Sequence, residues 1–297
     1  MTERSFKYYT CDVFTDRRFG GNPLAVLTDA RGLDDEQMQA IAREFNFSET
    51  TFVLPPADPR NTARVRIFTP TRELQFAGHP TVGTTFVLAT TGQIARDTRD
   101  IVLEEGVGPV AVRIDRDGAR ITRCTLSAAQ MPQQGPPAPS RDALAAMLAL
   151  DAHDVLDGAE SWSCGLQFLV VPVNGIGALA RCQPDTASIA RALADYPTKA
   201  VYPVAREAAE VWRVRAFVPH REVAEDPATG SAAAAFAGWL ASRTPGDAGT
   251  LRFRLNQGVE MGRPSELALE IDRGAGKITA VRVGGSSVMV SDGTLLV

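Results

Sequence analysis

Arg66-Ile-Phe-Thr-Pro-Thr-Arg-Glu-Leu74 returns half a chain later as Arg215-Ala-Phe-Val-Pro-His-Arg-Glu-Val223. Five of the nine positions are identical, at an offset of 149 in a chain of 297 residues. A second echo, Ile41-Ala-Arg43 against Ile189-Ala-Arg191, lies at an offset of 148. Each of these echoes sits in a predicted helix, one opening at Asp34 and the other near Asp185. Two matches at half-length read as a duplicated chain. Between the copies, Gln130-Met-Pro-Gln-Gln-Gly-Pro-Pro-Ala-Pro139 is proline-rich and aperiodic, a composition that disfavours helix and sheet and reads as a linker. The expected domains are therefore 1–130 and 140–297 joined by 131–139, with the last strand free to return to the first domain.

Outward from the repeat, most segments alternate as strands between turn residues. Arg64–Phe68, Val110–Ile114, Phe168–Val173, Glu266–Ile271 and Ile278–Val283 are predicted strands. Two segments break the pattern. Pro80–Thr91 carries no charge and is closed by Gly92; Gly230–Ser242 is also uncharged and includes four successive alanines before Phe236 and Trp239. A helix without a polar face must be buried on all sides, and at about 12 residues neither reaches the roughly 20 that a membrane span needs. The predicted fold is α+β: two duplicated, mostly-β barrel-like domains, each wrapped around a central buried helix.

Both helices open on turns of small residues, Phe76-Ala-Gly-His-Pro-Thr81 and Asp226-Pro-Ala-Thr-Gly-Ser231. Pro80 suits a first helical turn, where no N–H is needed. A helix start presents free N–H groups and the positive end of the helix dipole, and so attracts a carboxylate or phosphate. Gly78, Thr229, Gly230 and Ser231 are the expected substrate-binding positions, on either side of a cleft between the halves. The plainer reading of each turn alone is a tight strand-to-helix connection.

Glu49 supplies the chemistry in this reading. It follows the amphipathic stretch bearing Met38, Ile41, Ala42 and Phe45, and it opens the apolar run Thr50-Thr-Phe-Val-Leu54. Desolvation there is expected to raise its pKa above the reference value of about 4.3 and fit it to take and return a proton. A solvated charge at a helix exit is the alternative. Carrying the 148 offset forward places Pro197 opposite Glu49, so the carboxylate has no counterpart in the second half. His79 is a candidate donor or relay, or else a capping histidine. Asp226 is a candidate for holding a substrate amine or hydroxyl, or else a helix cap. Ser231 lacks the G-x-S-x-G setting of a nucleophile and is expected to donate a hydrogen bond. Cys164 reads as a buried structural thiol.

Bulk composition excludes several classes. Thirty-one basic and 35 acidic residues give a net charge of -4 without runs of one sign, which offers no nucleic-acid or membrane footprint. Cys11, Cys124, Cys164 and Cys182 form no C-x-x-C pair, and His79, His153 and His220 are scattered, so no metal is expected. No dinucleotide or phosphate-loop fingerprint is present, and no cofactor is expected. Met1–Asp12 carries Glu3, Arg4 and Lys7 and does not read as a signal peptide, which favours the cytoplasm.

In order along the chain, Phe19-Gly-Gly-Asn-Pro-Leu-Ala-Val26, Asn46-Phe-Ser-Glu-Thr50, Phe76-Ala-Gly-His-Pro-Thr81, Glu225-Asp-Pro-Ala-Thr-Gly-Ser-Ala232 and Gln257-Gly-Val-Glu-Met-Gly-Arg-Pro-Ser265 resemble the PhzF-like family of phenazine-biosynthesis isomerases. The resemblance implies the diaminopimelate-epimerase-like fold, a homodimer, no cofactor, Glu49 as general acid/base, and His79, Asp226 and Ser231 lining the site. It also implies proton movement on a small carboxylate-bearing metabolite, similar to trans-2,3-dihydro-3-hydroxyanthranilate isomerase. Related epimerases and racemases place a cysteine at each helix start; the corresponding positions here are read as Ala77 and Pro227, neither of which moves a proton. An amino-acid racemase or epimerase, and a non-catalytic small-molecule binding protein, are the alternative readings.

Overall fold

The computed structural model describes residues 4–218 and 224–297. The elements in chain order are β1 (Ser5–Val13), β2 (Asn22–Leu27), α1 (Asp35–Phe45), β3 (Glu49–Leu54), β4 (Ala63–Phe68), β5 (Glu73–Leu74), α2 (Gly78–Thr90), β6 (Asp100–Glu105), β7 (Gly108–Asp117) and β8 (Arg120–Ser127). They continue as β9 (Gln133–Pro137), α3 (Arg141–Leu148), β10 (Glu160–Ser163), β11 (Gln167–Pro172), α4 (Gly175–Arg181), α5 (Thr186–Ala192), β12 (Val201–Ala208), β13 (Val211–Val214), β14 (Ala216–Phe217) and β15 (Glu225–Asp226). The last elements are α6 (Gly230–Arg243), β16 (Gly249–Gln257), β17 (Ser265–Gly274), β18 (Lys277–Gly285) and β19 (Ser287–Leu296). The architecture is α+β, with mixed sheet around few helices; four of the five strands expected from the sequence lie within observed ones, and Phe168–Val173 overruns β11 by one residue.

The chain divides into two compact units, Met1–Ala129 with Gly284–Val297, and Gln130–Val283. In the first, β1 lies between β19 and β2, both antiparallel to it. Strand β2 runs parallel to β3, which pairs antiparallel with β4; β4 is parallel to β6, and β6, β7 and β8 follow antiparallel. Helix α2 packs against β1, β2, β3, β7, β8 and β19 and is thereby enclosed. Its residues from Gly78 to Ala89 are all buried. The lack of a polar face noted in the sequence is met by that enclosure. The threonines of α2 are satisfied locally: Thr85 donates to the Thr81 carbonyl at 2.9 Å, and the Thr84 and Thr51 hydroxyls meet at 2.8 Å.

The second unit repeats this pairing scheme. Strands β9 and β11 flank β10 antiparallel, β11 is parallel to β12, β12 meets β14 antiparallel, and β13 is parallel to β16, whose antiparallel partner is β17. Helix α6 packs against β9, β10, β11 and β17, and is buried from Gly230 to Leu240.

The structure corrects two details of the sequence reading, the linker and the helix echo. Gln133–Pro137, expected as an unstructured linker, forms β9 and pairs with β10. An edge strand tolerates prolines because one row of its N–H groups needs no partner. Gly284–Val297 belongs with the first unit, the return that the sequence left open. The Ile-Ala-Arg echo is out of register, since the helix N-caps are Asp34 and Asp185, an offset of 151 rather than 148. Three residues are nearly one helical turn, so Ile41 and Ile189 still face inward, each into its own unit's apolar cluster.

The repeat beginning at Arg66 and Arg215 keeps its register only as far as Phe217. Phe68 pairs with Glu73, and Phe217 pairs with Glu225. Arg66 reaches Glu73 through Nε and Nη2, both at 2.7 Å, and lies 5.1 Å over the Phe68 ring. Arg215 grips Glu225 in the same two-pronged way at 2.7 and 2.8 Å and lies 4.7 Å over Phe217. The partner of Arg215 is thus Glu225 rather than the sequence echo Glu222, which with 219–223 lies outside the described residues. From there on the offset between corresponding positions is 152, and Gly78 of α2 answers to Gly230 of α6.

Candidate active site

The first unit gathers Glu49, His79 and Asn22. Glu49 opens β3 beside β2, pairing with Leu24, and only 5% of it is exposed. His79 is the second residue of α2 and is also buried. Its Nε2 stands 3.4 Å from Glu49 Oε2, and its Nδ1 stands 3.1 Å from the Nδ2 of Asn22 at the start of β2. With the amide assigned this way, Asn22 Nδ2 donates to Nδ1, which must then be the unprotonated ring nitrogen. The ring proton is then on Nε2, whose 3.4 Å distance to Glu49 Oε2 is that of an ion pair rather than of an aligned hydrogen bond. An imidazole held at one end by an amide and facing a carboxylate at the other can orient that carboxylate for acid/base work.

Local sequence explains how Asn22 gets there. In Phe19-Gly-Gly-Asn22 the chain turns sharply, with φ of 69° at Phe19 and 62° at Gly21. A Cβ on Gly21 would lie 2.3 Å from the Val13 carbonyl oxygen, so only glycine lets the turn close against the end of β1. The Asp12 carboxylate accepts from the Phe19 N–H at 2.6 Å and holds the turn's entry.

The second unit gathers Asp226, Thr229, Gly230 and Ser231. Thr229 donates its hydroxyl to Asp226 Oδ2 at 2.6 Å, and Gln257 fastens both residues. Gln257 Nε2 donates to the Asp226 carbonyl at 2.7 Å and to Thr229 Oγ1 at 3.0 Å, while its Oε1 accepts from the Thr229 N–H at 3.1 Å. Gln257 is fully buried. The glycine that follows it, Gly258, has φ of 70°, and a Cβ there would lie 2.6 Å from the Pro227 carbonyl oxygen. Thr229, Gly230 and Ser231 start α6, and Ser231 is buried.

The starts of α2 and α6 share a property that the other capped helices lack. Asp34, Ser140 and Asp185 accept hydrogen bonds from the first turns of α1, α3 and α5. The N-caps of α2 and α6, Ala77 and Thr229, make no such bond. Alanine has no acceptor, and the threonine hydroxyl is turned to Asp226. These two helix starts, like that of the short α4, therefore have no side-chain cap on their first-turn N–H groups.

Two counterparts assigned from the sequence move. Thr50 pairs with Phe68 and Val201 with Phe217, so the position answering to Glu49 is Ala200 rather than Pro197. The position answering to the N-cap Ala77 is Thr229 rather than Pro227, because three extra residues enter the second copy before α6. Ala200 carries no carboxylate, and neither N-cap carries a thiol. The four cysteines are all buried, with no disulfide among the described residues. Burial pushes the Cys124, Cys164 and Cys182 thiols up to about 12, so they stay protonated and unreactive at neutral pH. Cys164 donates to the Gln130 carbonyl, a structural role.

Asn22 and Gln257 were visible in the sequence only as members of longer motifs, and their bonds to His79 and Thr229 were not foreseen. Glu105 was not singled out at all. It is 7% exposed, and its Oε1 lies 2.7 Å from the Thr81 hydroxyl in the first turns of α2. Asp151, His153 and Asp154 form the one cluster of possible metal ligands among the described residues. Arg181 already neutralises Asp154 at 2.7 Å, and Asp151 and His153 are exposed, so the cluster is a surface ion pair. No described helix is long and apolar enough to cross a membrane.

One of the two helix-centred units holds a buried carboxylate 3.4 Å from a buried histidine, an arrangement able to take and return a proton. Residues 11–293 match the sequence profile of the family described as phenazine biosynthesis-like protein, and the chain belongs to that family. It is 41% identical over the whole of both chains to an uncharacterised isomerase of Mesorhizobium japonicum. It is 35% identical to the trans-2,3-dihydro-3-hydroxyanthranilate isomerase of Pseudomonas aeruginosa, covering 97% of this chain and 98% of that one. The fold matches the crystal structure of a PhzF-family phenazine biosynthesis protein from Bacillus anthracis with a TM-score of 0.89, at 24% identity over 99% of this chain and 100% of that one. The chain is an isomerase of this family.

Proposed function

We propose that the chain moves a proton between carbons of a small carboxylate-bearing substrate without a cofactor, using Glu49 as its single acid/base group. The observation that carries this is the buried Glu49 carboxylate facing His79 Nε2 at 3.4 Å, with the ring fixed from behind by Asn22. A carboxylate shielded from water and held in one orientation can take a proton from one carbon and return it to another on the same face. His79 keeps the carboxylate aligned and offers the N–H that steadies its charged form. Asp226 positions a polar group of the substrate. Gly78 in the first unit, and Thr229, Gly230 and Ser231 in the second, bind substrate through the N–H groups and hydroxyl of the helix starts that no side chain caps. The resemblance to trans-2,3-dihydro-3-hydroxyanthranilate isomerase supports a cyclic amino or hydroxy acid as the substrate class.

An epimerase inverting a stereocentre needs a base on each face of the carbon. The N-cap positions Ala77 and Thr229 and the counterpart Ala200 provide no second base, which favours the single-carboxylate reading. Incubation with trans-2,3-dihydro-3-hydroxyanthranilate and related cyclic acids in deuterated water tests the function. Isomerised product bearing deuterium at the new C–H supports it; ligand binding without exchange for every member of the panel would mark a binding protein instead.

Because the proposed chemistry passes only through side chains of this chain, turnover is expected to survive EDTA and exhaustive dialysis at full rate. Activity lost on chelation and restored by a divalent ion would refute the cofactor-free reading.

A further inference from the structure

Thr81 makes two contacts that its single hydroxyl proton cannot serve together. Its Oγ1 lies 2.8 Å from the Ala77 carbonyl oxygen and 2.7 Å from Glu105 Oε1. The carbonyl has no proton to give, so the Thr81 proton goes to it. The contact with Glu105 is then a hydrogen bond only if the proton comes from the carboxyl. An ionised Glu105 would set two acceptor oxygens against each other inside the core. Its second oxygen, Oε2, is buried without a hydrogen-bond partner, which a neutral acid's carbonyl tolerates far better than half of a carboxylate.

The second unit supplies an independent observation. Arg64 of β4 pairs with Glu104 of β6, and Arg213 of β13 pairs with Asn256 of β16. The next residues along β6 and β16 are Glu105 and Gln257, each followed by a glycine, Gly106 and Gly258. Both side chains reach the start of their unit's central helix, and the one in the second unit is an uncharged amide. We propose that Glu105 works as a neutral carboxylic acid that donates to Thr81 and so pins the first turn of α2, making it a positioning residue for His79. The acid and the amide are the same device in two chemical forms, with matching shape and a donor directed at the helix. The proposal does not depend on Glu49 being the base.

The surroundings agree. Burial pushes the Glu105 carboxyl up to about 8, against a smaller opposing effect of its bond to Thr81. Among the described residues of the first unit, α2 carries no charged side chain, and its one ionisable group near the acid, His79, faces Glu49 and Asn22. On β6, Glu104 is held by the Ala57 and Asp58 N–H groups and Asn61. On β4 and β5, Arg64 is exposed and Glu73 is held by Arg66. On β7, Arg113 pairs with Asp115 well along the strand, and the residues opposite Glu105 are uncharged. Among the described residues no cation is placed to favour the ionised form.

The sign of the pH effect follows. A carboxyl whose pKa is higher folded than unfolded contributes stability fully at acid pH, and that contribution is lost as pH rises through the folded value. Between about pH 5 and 8 the wild-type folding equilibrium constant should fall on the order of 10²-fold relative to that of Glu105→Gln, which has no proton to lose. Stability of the two proteins is measured by urea unfolding across that range, with Glu105→Ala as the variant lacking any donor. The expected result is a pH-dependent gap that closes or reverses in favour of Gln above pH 8, with Gln but not Ala restoring the alkaline limb of turnover. Parallel curves for wild type and Gln would overturn the proposal. A direct measurement covers the case in which Gln fails to fold. In the Glu49→Gln background, one glutamate carboxyl carbon should titrate by NMR near pH 8, and finding none that titrates above about pH 6 would equally overturn it.

Discussion

Glu49→Gln is expected to lower turnover by about four orders of magnitude or more while leaving the fold and substrate affinity near those of the wild type. General acid/base groups contribute roughly 10²- to 10⁴-fold, and a sole shuttle with no substitute belongs at the top of that range or beyond it. The amide keeps the size of the side chain and its acceptor oxygen toward His79 Nε2, so the burial of the site and the Asn22–His79 contact persist. What it lacks is the ability to hold a proton taken from carbon. Nothing stands in reserve at the counterpart position, since Ala200 is inert. His79→Gln and Asp226→Asn are expected to be milder, or to weaken binding together with rate, because each is assigned to positioning. The measurement is steady-state turnover, together with exchange of the substrate's labile C–H in deuterated water. Exchange by the Gln variant near the wild-type rate would place the base elsewhere, with Asp226 the next candidate.

Phe236→Ala is expected to destabilise the second unit by about 3–5 kcal/mol. Phe236 is fully buried in α6, and its ring lies 5.9 Å from Tyr202, 5.5 Å from Trp212 and 5.3 Å from Trp239. Removing it leaves a hole walled by three large rings, and such rings close around a void poorly. The cost is the lost burial plus the cavity, a large part of the 5–15 kcal/mol that holds a typical domain together. Urea unfolding followed by tryptophan fluorescence reads it directly, because Trp212 and Trp239 border the hole. A loss below about 1 kcal/mol would show that α6 is not the packing centre of its unit.

Much of this fold was legible from composition and period. Two uncharged helical stretches with no polar face could only be interior, and α2 and α6 are. Glu49 and His79 were legible because a carboxylate and a histidine in apolar settings are costly and need a reason. Register was harder. The 149 offset is right for Arg66 and Arg215, but three residues enter before α6, and a short insertion in a loop leaves no periodic trace. That slip puts Pro227 in the place that belongs to Thr229; it is the Ile-Ala-Arg echo, three residues out, that sets Pro197 opposite Glu49 in place of Ala200. The Ile-Ala-Arg echo misled for a different reason: a helix repeats its buried face about every turn, so a match one turn out still looks apolar at the right places. Proline content alone made Gln133–Pro137 look like a linker, because sequence does not say that a strand will lie at a sheet edge. Glu105 was invisible since its significance lies in a hydroxyl 24 residues away across β6 and α2.

Strand β19 pairs along the length of β1, from Leu296 opposite Ser5 to Ser287 opposite Val13. On the ribosome this reverses the order in which the two units mature. The stretch Gln130–Val283 is synthesised whole before the final strand emerges and can fold as it leaves the tunnel. The unit that carries Glu49 is begun first and finished last, waiting with the flank of β1 uncovered until the closing strand arrives. A released chain truncated after Gly285 would therefore keep the whole second unit while leaving that flank of β1 bare.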